Sequence, residues 1–114
     1  STNRLLMAKR RFWRAMRGRI DLDIHTRRCT LDAAAGLMVA NGLPASRAGA
    51  MVRRYALKPG YQLAYTMGRR RFKRLYDRFR KKTGTPVAFA AGILAAGEIG
   101  FEHLEAALAN RGLS

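Results

Sequence analysis

Asp21, Asp23 and His25 are the densest group of side chains in the chain that could hold a metal ion or move a proton. A hydrolytic zinc site needs about three His, Cys, Asp or Glu ligands converging, often with two of them one helical turn apart. Here the residues follow one another at steps of two. On a helix such steps turn side chains to different faces, so the trio is expected not to converge and to be solvated at a helix end. His103 lies far from His25, and the sequence contains no His-Glu-x-x-His motif. Cys29 is the single cysteine, which excludes an internal disulfide and a multi-cysteine zinc site. It has no evident base partner and reads as an incidental thiol. There is no Gly-rich phosphate loop and no serine elbow. These residues alone imply no metal and no cofactor.

The basic side chains remain. The 114 residues hold 23 Lys and Arg against 7 Asp and Glu, a formal charge of +16, with a pI near 11.6. The surplus is uneven: 22 of the 23 bases fall within residues 1–82, and three of the seven acids lie beyond them. Arg10, Arg14 and Arg17 in one segment, and Arg69, Arg70, Lys73, Arg74 and Lys81 in another, are candidates to contact a polyanion. Such contacts are driven by counterion release and by the guanidinium fork that matches phosphate. The alternatives are a solvated helix face or a face covered by an acidic protein partner. No recognised DNA-reading motif accompanies the charge.

The elements that must position these groups are helices. Alanine and arginine are abundant and β-branched residues scarce, which favours helix over sheet. A first amphipathic helix is expected from about Asn3 to Ile24, with Leu5, Phe12, Met16 and Ile20 inward and Arg14 and Arg17 outward. Thr30 suits an N-cap for a helix through Leu31, Ala34, Leu37 and Met38 that ends at Asn41-Gly42. Pro44 opens a helix whose inner positions are Ala48, Met51, Val52 and Tyr55. The clearest pattern runs from Tyr61 to Lys82, where Tyr61, Ala64, Tyr65, Gly68, Phe72, Leu75, Tyr76 and Phe79 recur at steps of three and four. It predicts the longest helix, ended by Gly84. Thr85-Pro86 opens a helix through Phe89, Ile93 and Leu94, and Phe101, Leu104 and Leu108 carry the last. The expectation is an all-α bundle of about six helices with one long central helix, forming a single domain over residues 1–114. No apolar run approaches the roughly 18 residues needed to cross a bilayer, so a cytoplasmic protein is expected.

From Phe12-Trp13-Arg14-Ala15 through Asp23-Ile24-His25 and Thr30-Leu31-Asp32-Ala33-Ala34, the chain resembles the C-terminal part of the bacterial family called domain of unknown function 885. The likeness continues through Gly42-Leu43, Arg54-Tyr55, Pro59-Gly60, Leu63-Ala64-Tyr65 and Gly68 to Phe89, Leu94, Gly97 and Leu104-Glu105. The Pro-Gly…Leu-x-Tyr-x-x-Gly stretch is its most specific part. Members resemble zinc-dependent peptidases with a helical fold related to the angiotensin-converting-enzyme and oligopeptidase group. The resemblance implies that the zinc motif lies in an N-terminal peptidase region upstream of the matched part, and that this chain alone does not hydrolyse peptides. It further implies that His25 and Tyr65 line a cleft as candidate catalytic groups that polarise a carbonyl or stabilise an oxyanion. The bland alternatives are a His at a helix end and a Tyr packed in a core. Ala90-Ala91 and Cys29 depart from the family pattern, where His-Asp and Trp are usual. A chain built to pack against further residues is also expected to expose apolar surface, which self-association into a homo-oligomer would cover.

Overall fold

A computed structural model describes residues 1–80 and 85–110. Among these residues six helices follow one another: α1 (Thr2–His25), α2 (Leu31–Ala40), α3 (Ala45–Ala56), α4 (Tyr61–Arg80), α5 (Pro86–Ala96) and α6 (Phe101–Leu108). The described residues form no strand, and the fold is all-α as the composition implies. Among them the longest helix is α1, with 24 residues, not α4, with 20. The expected continuation to Lys82 and the stop at Gly84 lie outside the described residues. No described helix is long and apolar enough to cross a membrane. The chain divides into two compact units, residues 1–67 and 68–114, with the boundary inside α4.

In the first unit the local signals work as read. The Thr30 hydroxyl accepts the Ala33 N–H at 3.1 Å and caps α2. After α2 the chain reverses through Gly42 at φ +93°, a left-handed conformation that glycine adopts without a Cβ clash. This folds α3 back along α2. Ile20, Ala34, Met38, Ala48, Val52 and Tyr55 form the buried core, with Trp13, Met16, Ile24 and Leu43 around it. Alanines at two of these sites let α2 and α3 approach closely. Each large side chain buried here contributes about 1.5–3 kcal/mol.

The stripe expected on α1 holds only in its second half. Leu5 is 72% exposed, and Leu6, Met7 and Phe12 are also exposed. The first three turns of α1 have little to pack against within their unit, whereas Ile20 reaches α2 and α3.

In the second unit Leu75, Leu104 and Leu108 are buried, with Phe89, Ile93, Ala96 and Phe101 around them. Aromatic edges support this core: Phe72 meets Phe101 at 4.8 Å between ring centroids, and Tyr76 meets Phe89 at 5.3 Å. The Thr85 hydroxyl caps α5 through the Ala88 N–H at 3.1 Å, and Pro86 fills the first position, as expected. Leu94 does not face this core. It is 81% exposed, because the inward side of α5 is formed by Phe89, Ile93 and Ala96.

Candidate functional site

Asp21 is buried in α1 at 1% exposure, and its carboxylate is bonded to the chain that opens α4. Oδ1 accepts the Gly60 N–H at 3.0 Å, and Oδ2 accepts those of Gln62 at 2.8 Å and Leu63 at 3.1 Å. The first N–H groups of any helix lack partners within it. Here a carboxylate from a different helix supplies the acceptors, at the end where the helix dipole favours negative charge. Gly60 makes this approach at φ +78°, directly before α4 begins. Burial raises the Asp21 pKa, but the three N–H donors and the neighbouring His25 outweigh it, so the carboxyl is held below its ordinary value.

His25 stands four residues on, one helical turn away. Its Nδ1 lies 2.8 Å from both the main-chain oxygen and Oδ1 of Asp21, and its Nε2 lies 3.2 Å from the Ala56 carbonyl oxygen. Ala56 is the last residue of α3, where carbonyls lack helical partners. Both ring nitrogens face acceptors, and both can donate at once only in the imidazolium. The main-chain oxygens of Asp21 and Ala56 accordingly raise the His25 pKa, burial opposes them, and the Asp21 charge adds to the rise. The three residues do not gather at one point, but the expectation that they would be solvated at a helix end is corrected for the buried Asp21. Asp21 and His25 share one face, while the Asp23 carboxylate pairs with Arg19 Nε at 3.3 Å.

With Asp21 holding its first turn, α4 turns Leu63 and Thr66 toward α1. Both lie close to Gly18, and Thr66 donates its hydroxyl to the Arg14 carbonyl at 3.2 Å. The face bearing Tyr61 and Tyr65 is consequently turned outward. Tyr61 is 50% and Tyr65 51% exposed, which overturns the alternative of a Tyr65 packed in a core. Phe72 is likewise exposed, so the inward positions of that stripe are Leu75 and Phe79. Tyr65 Oη donates to Tyr61 Oη at 3.0 Å, with the rings edge to face. This bond raises the Tyr65 pKa, against the pull of Arg17 and Arg14. Arg14, Arg17, Gln62 and Tyr65 together line a recess of about 200 Å³.

The other sequence-derived residues distribute as follows. Arg10, Arg14 and Arg17 share a second recess with Lys9 and Trp13, so α1 does bring them together. In the second unit Arg69, Arg70, Lys73 and Arg74 are exposed, and Lys73 pairs with Asp77. Lys81 lies outside the described residues. The role of Asp21 escaped the sequence reading, although its spacing of four from His25 was a usable signal. Arg47 and Arg54 were also missed, and both lie beside Arg17 in a recess on α1 and α3.

No three His, Cys, Asp or Glu residues group for a metal among the described residues. The Asp21–His25 pair does not fit zinc either, because both carboxylate oxygens and both ring nitrogens are engaged by the protein. The fold and site thus define a helical module with an arginine- and tyrosine-lined surface fixed by a buried carboxylate. The family model described as "Bacterial protein of unknown function (DUF885)" matches residues 1–108, and the chain belongs to that family. No curated protein and no solved structure matches it.

Proposed function

We propose that the chain is the C-terminal, cleft-lining segment of a zinc-peptidase-like protein, supplying groups that hold a peptide rather than the metal that activates water. The observation that carries this reading is the grouping of Arg14, Arg17, Gln62 and Tyr65 around one recess, with Tyr61 bonded to Tyr65. A phenol hydroxyl can donate to a carbonyl or developing oxyanion, and a guanidinium can hold a peptide's terminal carboxylate with two parallel bonds. Tyr65 is the substrate-facing group in this reading. His25 is a positioning residue, since its nitrogens are committed to Asp21 and Ala56. The zinc would be held by residues outside this stretch.

Titration of the isotope-labelled chain with short peptides carrying a free C-terminal carboxylate tests the reading. Saturable shifts at Gln62, Tyr65 and Thr66 are expected. Tyr65→Phe and Arg14→Gln should each weaken binding by about tenfold, and a peptide amide should bind less well than the free acid. Absence of saturable binding overturns the proposal.

A second reading, a polyanion-binding module, rests on the exposure of Arg10, Arg14, Arg69, Arg70 and Arg74, none of which has a carboxylate partner among the described residues. Affinity for duplex nucleic acid should then fall steeply as salt rises. No binding at low salt ends that reading.

A further inference from the structure

On the side of the first unit formed by α1 and α3, Arg17, Ser46, Arg47, Ala50, Met51 and Arg54 line an open recess of about 420 Å³. Arg47 and Arg54 are seven residues apart on α3, two helical turns, and therefore project from one face. Arg17 comes from α1. None of the three guanidiniums has a carboxylate partner among the described residues, and no acid lines the recess. Three arginines around one recess with no acid in its lining repel one another, a cost that a bound counter-charge would remove.

Two further observations point to a missing ligand. Arg17 Nε is buried and has no hydrogen-bond partner. A buried charged donor left unsatisfied is rare and costly. The recess also borders the first turn of α3. Its N-cap is Pro44, with no side-chain cap, and its first turn holds no acid. The positive end of that helix dipole is thus left uncompensated.

We propose that this recess is a binding site for a phosphate-class oxyanion, held by Arg17, Arg47 and Arg54, with Ser46 donating its hydroxyl. Three guanidinium forks offer more donors than a carboxylate has lone pairs and suit the tetrahedral oxygens of a phosphate or phosphomonoester. The site shares Arg17 with the tyrosine-lined recess and none of its other residues. It holds whether or not the peptide reading does.

Titrating the isotope-labelled full chain with inorganic phosphate, and separately with glycerol 3-phosphate, at constant ionic strength set by chloride tests the site. Saturable shifts at Ser46, Arg47 and Arg54 are expected from at least one ligand, and the tighter of the two tells free phosphate from a phosphomonoester. Arg47→Gln and Arg54→Gln, both at exposed positions, should each weaken binding more than about tenfold while leaving peptide-induced shifts at Tyr65 unchanged. Arg47→Lys, which keeps the charge and loses the fork, should fall between the wild type and Arg47→Gln. Equal shifts from chloride, no saturation by either ligand, or undiminished binding in a variant carrying both Arg47→Gln and Arg54→Gln would overturn the proposal.

Discussion

Asp21 Oδ2 accepts the main-chain N–H of Gln62 at 2.8 Å, so a side chain near the end of α1 caps a helix that starts forty residues later. The same carboxylate serves Gly60 and Leu63, and His25 braces it from the next turn toward α3. One buried charge thereby fixes the entry to α4 and orients the helix face that carries Tyr61 and Tyr65.

Removing that charge should be costly. Asp21→Asn keeps the shape but turns an amide N–H₂ toward N–H donors, and Asp21→Ala leaves three part-buried donors without their acceptor. An unsatisfied buried group costs about 1–3 kcal/mol, and bonds to charged groups lie at the upper end. A loss of about 3 kcal/mol is expected for either variant in urea unfolding. A loss below about 0.5 kcal/mol, typical of surface substitutions, would show that the carboxylate does not anchor α4.

The same pair sets a pH window. His25 has a folded pKa raised above its ordinary 6.5. Its contribution to stability is fully present below pH 6.5 and is lost as pH rises through the raised value. Asp21 has a folded pKa lowered below its ordinary 3.8, so its contribution is fully present above that value and is lost as pH falls through the lowered one. The latch is therefore complete between those two ordinary values. Unfolding midpoints measured across pH at fixed ionic strength should decline on both sides. His25→Gln should flatten the alkaline limb and Asp21→Asn the acid limb, and an alkaline decline that persists in His25→Gln would assign it to another group.

What the sequence reveals and what it hides follow the distance over which each interaction acts. Thr30, Thr85 and Gly42 act within four residues of themselves, and all three were legible as caps or stops. The Asp21 cap depends on amides 39 to 42 residues away, and no local pattern announces it. The stripe of α4 failed for a related reason. Periodicity gives the faces of a helix but not which one meets a neighbour, and here the contacts at Leu63 and Thr66 decided it. Tyr65 was thus legible as a candidate through family resemblance, whereas its partnership with Tyr61 and its exposure came only from the fold.

Gly18 is buried on α1 against Leu63 and Thr66 of α4. A Cβ added there would meet Thr66 Oγ1 at 3.3 Å and Leu63 Cδ1 at 3.5 Å. Gly18→Ala gains up to about 1 kcal/mol of helix propensity against that mild squeeze, and should change stability by less than about 1 kcal/mol. Gly18→Leu cannot fit without displacing α4, and overpacking of this kind costs about 1–3 kcal/mol. Because Arg14 and Tyr65 line the recess from the two helices, Gly18→Leu should also weaken peptide binding. Full peptide affinity in that variant would separate the recess from the packing beneath it.

The orientation of α5 can be tested inside the second unit by two leucines of contrary environment. Leu94 is 81% and Leu104 4% exposed. If the inward face of α5 is Phe89, Ile93 and Ala96, then Leu94→Ser removes no buried surface and should change stability by less than about 0.5 kcal/mol. Leu104→Ala opens a cavity beside Leu75 and Leu108 and should cost about 2–5 kcal/mol. Urea unfolding followed by tyrosine fluorescence reads both variants. A large loss for Leu94→Ser would show that this leucine is core and would require α5 to turn by roughly a quarter of its circumference, since neighbouring residues on a helix are about 100° apart.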